Sequence, residues 1–190
     1  MPHSFVDALV PRPQSVTVRG GSHPPLLQLR PLIRAPSAAD ALAIRDTLHR
    51  LFATRLSTRV RARTLLILLD PTAGIAPRSA GRAIAEQAYR LEFGPALRLV
   101  ASGLAGVRFG LQTLRQLLEG AGHPPQPAWP ILEIRDWPRL AVRGIHLDLA
   151  REMEYRPAHL RRVVDHLAAL KFNTLHLYLE NKFVFPSAPE

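Results

Sequence analysis

The sequence predicts an α/β fold in two parts: an α+β N-terminal domain with a helix-backed sheet, followed by the start of a (β/α)8 barrel. Three observations predict it. Short apolar segments at 62–70, 87–93 and 97–102 have the length and composition of strands. Residues 103–120 carry apolar side chains at helical spacing, and residues 141–180 follow a strand, helix, strand pattern typical of a parallel βαβ unit.

Composition narrows the class of protein. Hydrophobic residues make up 47% of the chain, and there is no cysteine, which excludes disulfides and thiolate metal sites. No apolar run approaches the about 18 residues that a membrane helix needs, so we expect no membrane partner. The N-terminus lacks a basic segment followed by an apolar one, and we therefore expect no signal peptide and a cytoplasmic location.

The net charge of +10 has two interpretations. It could mark a nucleic-acid-binding surface, or it could follow from a composition rich in arginine, alanine and proline. The arginines are scattered along the chain, and aromatic residues, which would stack on bases, are only 6% of the composition. These facts favour the second interpretation and no specific nucleic-acid partner.

The first third of the chain predicts two strands and a helix. Residues 15–20 (SVTVRG) alternate as a strand does, and residues 26–33 predict a second strand that Pro31 places at a sheet edge or a bulge. Ser37 with Asp40 predicts an N-cap, and the apolar spacing that follows predicts a helix to about Ala53. The apolar run within 62–70 predicts a strand buried on both faces.

A hairpin and a long helix come next. The strands at 87–93 and 97–102 are separated by Gly94 and Pro95, which predicts a tight hairpin. The glycines at 103, 106 and 110 lack the spacing of a phosphate-binding loop and instead predict close packing at the start of a helix. That helix ends at Gly120, and its apolar face comprises Val107, Leu111, Leu114, Leu117 and Leu118.

Residues 121–130 (AGHPPQPAWP) contain four prolines and predict the domain boundary. We therefore assign 1–130 to the N-terminal domain and 131–190 to the second one, whose first element is a short strand at 131–134. The second domain continues with strands at 141–149 and 174–180. The helix between them buries Leu160, Val163, Val164 and Leu167.

Candidate chemistry concentrates at the strand ends of this second domain. Asp148 and Glu180 lie near the carboxyl ends of two predicted parallel strands, the end at which barrel enzymes place their active sites. Asp148 has an alternative role, pairing with Arg151 or capping the following turn. His146 and His176 each stand alone on a strand, which favours structural roles, and no metal-binding motif is present.

A resemblance covers nearly the whole chain. The segment RDWPRLAVRGIHLDLAREMEYRPAHLRRVVDHLAALKFNTLHLYLEN resembles the opening of the catalytic barrel of family 20 glycoside hydrolases, the β-N-acetylhexosaminidases. Its start resembles the family pattern D-x-P-R-F-x-x-R-G-x-x-L-D-x-A-R. Upstream, GLAGVRFGLQTLRQLLEG is similar to a signature of the family's non-catalytic N-terminal domain, which is called zincin-like for its shape although this chain has no zinc motif.

The resemblance implies a mechanism and a set of contacts. In such enzymes the 2-acetamido carbonyl of the substrate is the nucleophile, and an adjacent Asp-Glu pair later in the barrel assists. The resemblance therefore implies that this chain contains no catalytic residue and binds no metal or cofactor. It also implies that the partner is a glycan containing N-acetylhexosamine. The residues it implies for substrate binding are Arg143, Asp148, Glu180 and Asn181. In the family pattern for the second strand, K-x-N-x-L-H-x-H-L-x-D-D, the second histidine and the first aspartate fall on Tyr178 and Asn181 of this chain, which leaves the preferred sugar open.

Two functions remain at this point. The chain is the N-terminal part of a hydrolase that removes β-linked N-acetylhexosamine by substrate-assisted retaining hydrolysis and is inactive alone. Alternatively, it is a non-catalytic carbohydrate-binding or protein-interaction module. The downstream reading frame would distinguish them, because a glycosidase needs the Asp-Glu pair and further barrel strands there.

The strand that ends at Glu180 should expose an unpaired apolar edge, because the next barrel strand would normally cover it. We expect the 190-residue chain to self-associate through this edge, and a chain ending within 120–130 to stay monomeric. Sedimentation of both polypeptides measures this, and a monomeric 190-residue chain would contradict the prediction.

Overall fold

The computed structural model describes residues 4–7, 9–23, 28–59, 62–120, 129–151, 155–180 and 187. The chain divides into two compact units, Met1–Ala141 and Val142–Glu190. The first unit contains a six-stranded sheet and the second a two-stranded sheet, so the fold is mixed α/β. Among the described residues, no helix has the length and apolar character that crossing a membrane requires.

The first unit is a mixed sheet backed by helices. The sheet order is β1-β6-β4-β5-β3-β2, with β2, β3 and β5 parallel to one another and the other neighbours antiparallel. The elements are α1 (Ser4–Asp7), β1 (Ser15–His23), β2 (Leu29–Arg34), α2 (Ala38–Phe52), a 3-10 turn (Ala53–Arg55), β3 (Arg63–Leu69), α3 (Arg82–Ala85), β4 (Tyr89–Phe93), β5 (Leu97–Ala101), α4 (Leu104–Gly120) and β6 (Trp129–Asp136).

Local signals in the sequence place several of these elements correctly. The Ser37 hydroxyl oxygen accepts a hydrogen bond from the Asp40 N–H and donates one to the Asp40 carboxylate, so the predicted N-cap of α2 is confirmed. The predicted β4–β5 hairpin is confirmed, and β2, which contains Pro31, lies at the sheet edge as expected. The prediction for β3 was wrong in one respect. Only Leu65, Ile67 and Leu69 are buried, because they alone face the helices.

Helix α4 packs on the sheet through its apolar face. Val107, Leu111, Leu114, Leu117 and Leu118 are all buried, as predicted, and each fully buried leucine stabilises the fold by about 1.5–3 kcal/mol. A Cβ at Gly106 would overlap the backbone oxygen of Ala88, and one at Gly110 would overlap Leu99 and Tyr89. These glycines therefore let α4 approach β4 and β5, which confirms the close-packing interpretation.

A buried polar cluster joins α4 to two strands. The Tyr89 hydroxyl donates to Asp136 Oδ2 at 2.9 Å and lies 2.6 Å from Thr113 Oγ1, while Asp136 Oδ1 accepts from the Gln14 N–H. All three clustered side chains are buried. Burial, followed by the negative charge of Asp136, raises the pKa of Tyr89 well above its ordinary value.

The predicted domain boundary at 130 is corrected by β6. This strand, predicted as the first element of the second domain, hydrogen-bonds to β1 on one side and β4 on the other. Its residues Trp129, Leu132 and Ile134 are buried in the first core, and the Trp129 ring stacks on Phe93 at 5.7 Å. The first unit therefore extends to Ala141. The proline-rich composition marked a connection before the last strand of the domain, not the end of the domain.

The second unit contains β7 (Gly144–Asp148), α5 (Pro157–Ala169) and β8 (Thr174–Tyr178). The two strands are parallel, as the sequence predicted. Leu160, Val163 and Leu167 are half-buried, whereas Val164, which we expected on the apolar face of α5, is 48% exposed. Two parallel strands and one helix are common to barrels and open sheets.

We predict that residues 1–141 fold on their own and that residues 1–128 do not. Removing β6 would separate β1 from β4 and take from the core Leu132 and Ile134, which are 2% and 0% exposed. Urea unfolding followed by circular dichroism should show a cooperative transition only for the longer polypeptide. This replaces the expectation that a chain ending within 120–130 is a folded monomer, and a cooperative transition of residues 1–128 would refute it.

We predict that residues 1–141 lose stability above about pH 10, because Tyr89 keeps its proton in the folded state after the unfolded state has lost it. This segment contains one tyrosine, no lysine and no cysteine, so no other side chain is expected to titrate there. Tyr89→Phe should cost about 1–3 kcal/mol at pH 7 by removing the buried hydrogen bond from the Tyr89 hydroxyl to Asp136 Oδ2. The difference from the unsubstituted segment should shrink as the pH rises. Urea unfolding at pH 7 and pH 11 measures both effects, and a constant difference would contradict the assignment.

Candidate functional site

Polar side chains share one face of the two-stranded sheet. The parallel register sets His146 opposite His176 and Asp148 opposite Tyr178. Because side chains alternate between faces, these four project to the same side. The other side carries Ile145, Leu147 and Leu175, which are half-buried. The unit therefore has an apolar side and a side able to bind a polar ligand.

The two histidines form a pair that the sequence interpretation missed. Their Nδ1 atoms lie 3.2 Å apart, so one ring donates and the other accepts, and the ring planes are nearly perpendicular. The His146 ring also lies 5.8 Å from the ring of Tyr178. His146 precedes Asp148 by two positions, and His176 precedes Tyr178 by two. This equal spacing is the signal in the sequence from which the pair could have been predicted. Within the part of the chain that the structure describes, no group of three or more potential ligands is placed to hold a metal ion.

Asp148 caps the turn that follows β7. Its Oδ1 accepts from the N–H groups of Ala150 at 2.9 Å and Arg151 at 3.3 Å, and its Oδ2 lies 3.3 Å from Arg151 Nε. Asp148 therefore both pairs with Arg151 and caps the following turn, the two alternatives to a functional role that the sequence left open. The carboxylate is still 38% exposed, so its role in the turn does not prevent it from accepting a further hydrogen bond.

Tyr178 and Glu180 form a second polar pair at the end of β8. The negative charge of the Glu180 carboxylate raises the pKa of the Tyr178 hydroxyl. Partial burial, a hydrogen bond to Glu180 and the charge of Asp148 raise this pKa further, each by less. Glu180 has a φ of 49°, in the left-handed region that costs a non-glycine residue about 1–2 kcal/mol. The backbone thus turns sharply at the residue whose carboxylate the sequence singled out.

Arg143 lies at the opposite end of the strands. Its Nε and Nη2 donate to the carbonyl oxygen of Lys171 at 3.1 and 2.8 Å, and its own N–H donates to Asn173 Oδ1 at 2.8 Å. Lys171 is buried, with a φ of 61°. The guanidinium therefore fastens the turn that leads into β8. Since β7 rises by roughly 3.3 Å per residue, five residues place the Cα atoms of Arg143 and Asp148 roughly 16 Å apart.

The structure thus brings together Asp148, Tyr178 and Glu180 and adds the histidine pair to them. Arg143 does not belong to this group, because its guanidinium is held at the amino ends of the strands. The fourth predicted substrate-binding residue, Asn181, lies outside the described residues.

Comparison with protein families assigns both parts of the chain. Residues 7–137 match the model for glycosyl hydrolase family 20, domain 2, and residues 141–188 match that for the catalytic domain of the same family. The boundary between the two matches agrees with the end of the first unit at Ala141 and not with 130.

Curated relatives match part of the chain. It is 41% identical over 93 residues, 48% of this chain, to a β-hexosaminidase of Akkermansia muciniphila. It is 31% identical over 108 residues, 54% of this chain, to an N,N'-diacetylchitobiase of Vibrio harveyi. The chain covers 18% and 12% of the lengths of these two relatives.

Solved structures match nearly the whole chain. The N-acetyl-β-hexosaminidase of Streptomyces plicatus in complex with Thio-NAglucal aligns with 97% of this chain, at a TM-score of 0.67 and 26% identity, over 37% of its own length. An exo-β-N-acetylglucosaminidase of Vibrio harveyi in complex with N-acetylglucosamine shares the fold at a TM-score of 0.70 and 23% identity. It aligns with 97% of this chain and 28% of its own.

Replacing Glu180 by glutamine should lower the pKa of Tyr178 toward its ordinary value, because the charge that most disfavours the tyrosinate is removed. Asp148→Asn should lower it less, since Asp148 makes the smallest of the four contributions. A ¹³Cζ NMR titration resolves each tyrosine separately. A larger shift in the Asp148 variant would show that the order of these contributions is wrong.

Proposed function

Because this chain belongs to glycosyl hydrolase family 20, we propose that β7, α5 and β8 open a catalytic (β/α)8 barrel that hydrolyses β-linked N-acetylhexosamine. The catalytic-domain match over 141–188 supports this proposal. So do the parallel pairing of β7 with β8 and the helix between them, since each βα unit of such a barrel has this form.

One observation carries the proposal. The in-register parallel pairing puts Asp148 opposite Tyr178, and Glu180 follows two residues later, all at the carboxyl ends of the strands. Barrel enzymes build their active sites at that end. A cluster of hydrogen-bonding groups there is the kind of surface that a sugar, with its many hydroxyls, requires.

The proposed roles of Asp148 and Glu180 follow from their place at the strand ends, and that of Asn181 from the resemblance to the family. Asp148 and Glu180 accept hydrogen bonds from sugar hydroxyls at the rim, and Asn181 contacts the same sugar. Arg143, for which the resemblance implied sugar binding, acts from the amino ends of the strands as a positioning residue. Its hydrogen bonds to the Lys171 carbonyl hold the turn that leads into β8, and so help to keep Glu180 beside Asp148.

The chemical step belongs to groups that the family resemblance places beyond β8. The 2-acetamido oxygen of the substrate attacks the anomeric carbon, while an Asp-Glu pair orients the acetamido group and protonates the leaving oxygen. We propose that residues 1–190 contribute binding and positioning to this reaction and no catalytic acid. The substrate class is a glycan that contains N-acetylhexosamine, in keeping with the ligand named for the Vibrio harveyi structure.

A second candidate rests on the first unit. Residues up to Ala141 have their own sheet and their own core, independent of the strands that carry the polar cluster. A self-contained unit of this kind favours a carbohydrate-binding or protein-interaction module as the alternative function. Binding of a glycan by residues 1–141 alone would support it.

We predict that residues 1–190 alone do not hydrolyse 4-nitrophenyl N-acetyl-β-D-glucosaminide. A chimera in which residues 141–188 replace the matching segment of the Akkermansia muciniphila relative should hydrolyse it. Arg143→Gln in that chimera should lower kcat/KM about tenfold to a hundredfold, the cost of losing hydrogen bonds from a charged donor.

The exposed Arg162→Gln on α5 is the matched control and should leave kcat/KM unchanged. A folded but inactive chimera would count against the barrel proposal, and an active Arg143→Gln chimera would count against the role of Arg143. Enzyme-like turnover by residues 1–190 alone would contradict the absence of a catalytic acid.

A further inference from the structure

The face of the six-stranded sheet opposite the helices is rich in arginine. Alternation along the strands puts the main apolar core on the helix side and mostly polar residues on the other side, which we call the outer face. Val100 on this face is buried in a small cluster with Ile75 and Ala88. Strand pairing brings six arginines and two glutamates to this face, a net charge of +4. They are Arg19, Arg30, Arg34, Arg90, Arg98, Arg135, Glu92 and Glu133.

The two glutamates do not neutralise the arginines around them. Glu92 is shared by Arg90 at 3.0 Å and Arg98 at 3.8 Å. Glu133 is shared by Arg135 at 3.1 Å and Arg19 at 3.4 Å. Each cluster of two arginines and one glutamate therefore keeps one uncompensated positive charge, and Arg30 and Arg34 on β2 add to it.

On the outer face the most exposed arginine side chains are more exposed to solvent than the glutamate side chains. The Glu92 and Glu133 side chains are 26% and 21% exposed, whereas Arg98 is 53% and Arg19 is 65% exposed. The Nε atoms of Arg90 and Arg135 are buried beside the glutamates. The groups within reach of an acidic ligand are therefore the exposed guanidinium groups, above all those of Arg19 and Arg98, which can form charge-assisted hydrogen bonds with it.

Apolar side chains complete the outer face on β2 and β3. Leu32 is 48% exposed and pairs in register with Leu66, which is half-buried. Among the described strand residues of this face there is no phenylalanine, tyrosine or tryptophan on which bases could stack. A ligand that combines acidic groups with apolar C–H surfaces fits this combination, and an acidic polysaccharide has both.

We propose that the outer face binds an acidic polysaccharide, with the arginines recognising its sulfate or carboxylate groups and Leu32 and Leu66 contacting its sugar rings. The choice of a glycan rests on the proposed function, since an enzyme that hydrolyses a polymeric glycan gains from a second surface that binds the same polymer. Arginine suits the task because its planar fork matches an oxyanion at two points.

Binding of chondroitin sulfate by the 190-residue chain tests the proposal, measured by calorimetry at 0.15 M salt, where weak surface attractions are screened. Arg19→Gln with Arg98→Gln should weaken binding about tenfold. The control, Arg45→Gln with Arg50→Gln, removes the same charge from exposed positions on α2 and should change binding less than about twofold. Unchanged thermal unfolding shows that both pairs of substitutions leave the fold intact.

Three outcomes would overturn the proposal: no binding of chondroitin sulfate, equal weakening by both pairs of substitutions, or equally tight binding of duplex DNA that the outer-face pair weakens in the same way. The last would identify a general polyanion surface. The result is separate from the glycosidase proposal. An inactive chimera, with intact binding by the 190-residue chain, would overturn only the glycosidase proposal. An active chimera, with no binding by the 190-residue chain, would overturn only the proposal for the outer face.

Discussion

The contact between α4 and the sheet is the constraint on which the first unit depends. Gly106 and Gly110 remove the side chains that would hold the helix away from β4 and β5, and the leucines of α4 then reach the sheet. The same approach brings Thr113 within hydrogen-bond distance of Tyr89. Because the cluster that Tyr89 forms also includes Asp136, one close contact positions the helix and the strand β6 together.

That dense core on one side leaves the other side of the same sheet to be polar. The strand period of two sends Leu91 and Ile134 inward and Arg90, Glu92 and Arg135 outward. The outer face thus follows from the pattern that builds the core. Its charge is a separate matter, because the strands could have carried neutral polar residues there without any change in the core.

The second unit depends on a different constraint, the parallel register of β7 and β8. Reciprocal hydrogen bonds between Arg143 and Asn173, and those from the Arg143 guanidinium to Lys171, fasten the strands at their amino ends. Gly144 allows the close approach to Thr174 that this pairing needs. The polar cluster at the far ends is a consequence of that register, since a shift by one residue would send half of it to the apolar side.

The sequence by itself determined the features that depend on neighbours along the chain. Spacing predicted the apolar face of α4, capping chemistry predicted the start of α2, and Gly94-Pro95 predicted the hairpin. Family motifs identified the region that contains the polar strand ends. Tertiary structure decided what depends on pairing between distant residues. It placed β6 in the first sheet, set His146 against His176, and fixed Arg143 on a carbonyl 28 residues away. Hydrogen bonds between strands leave no periodic signal in the sequence, which is why local reasoning could not find them.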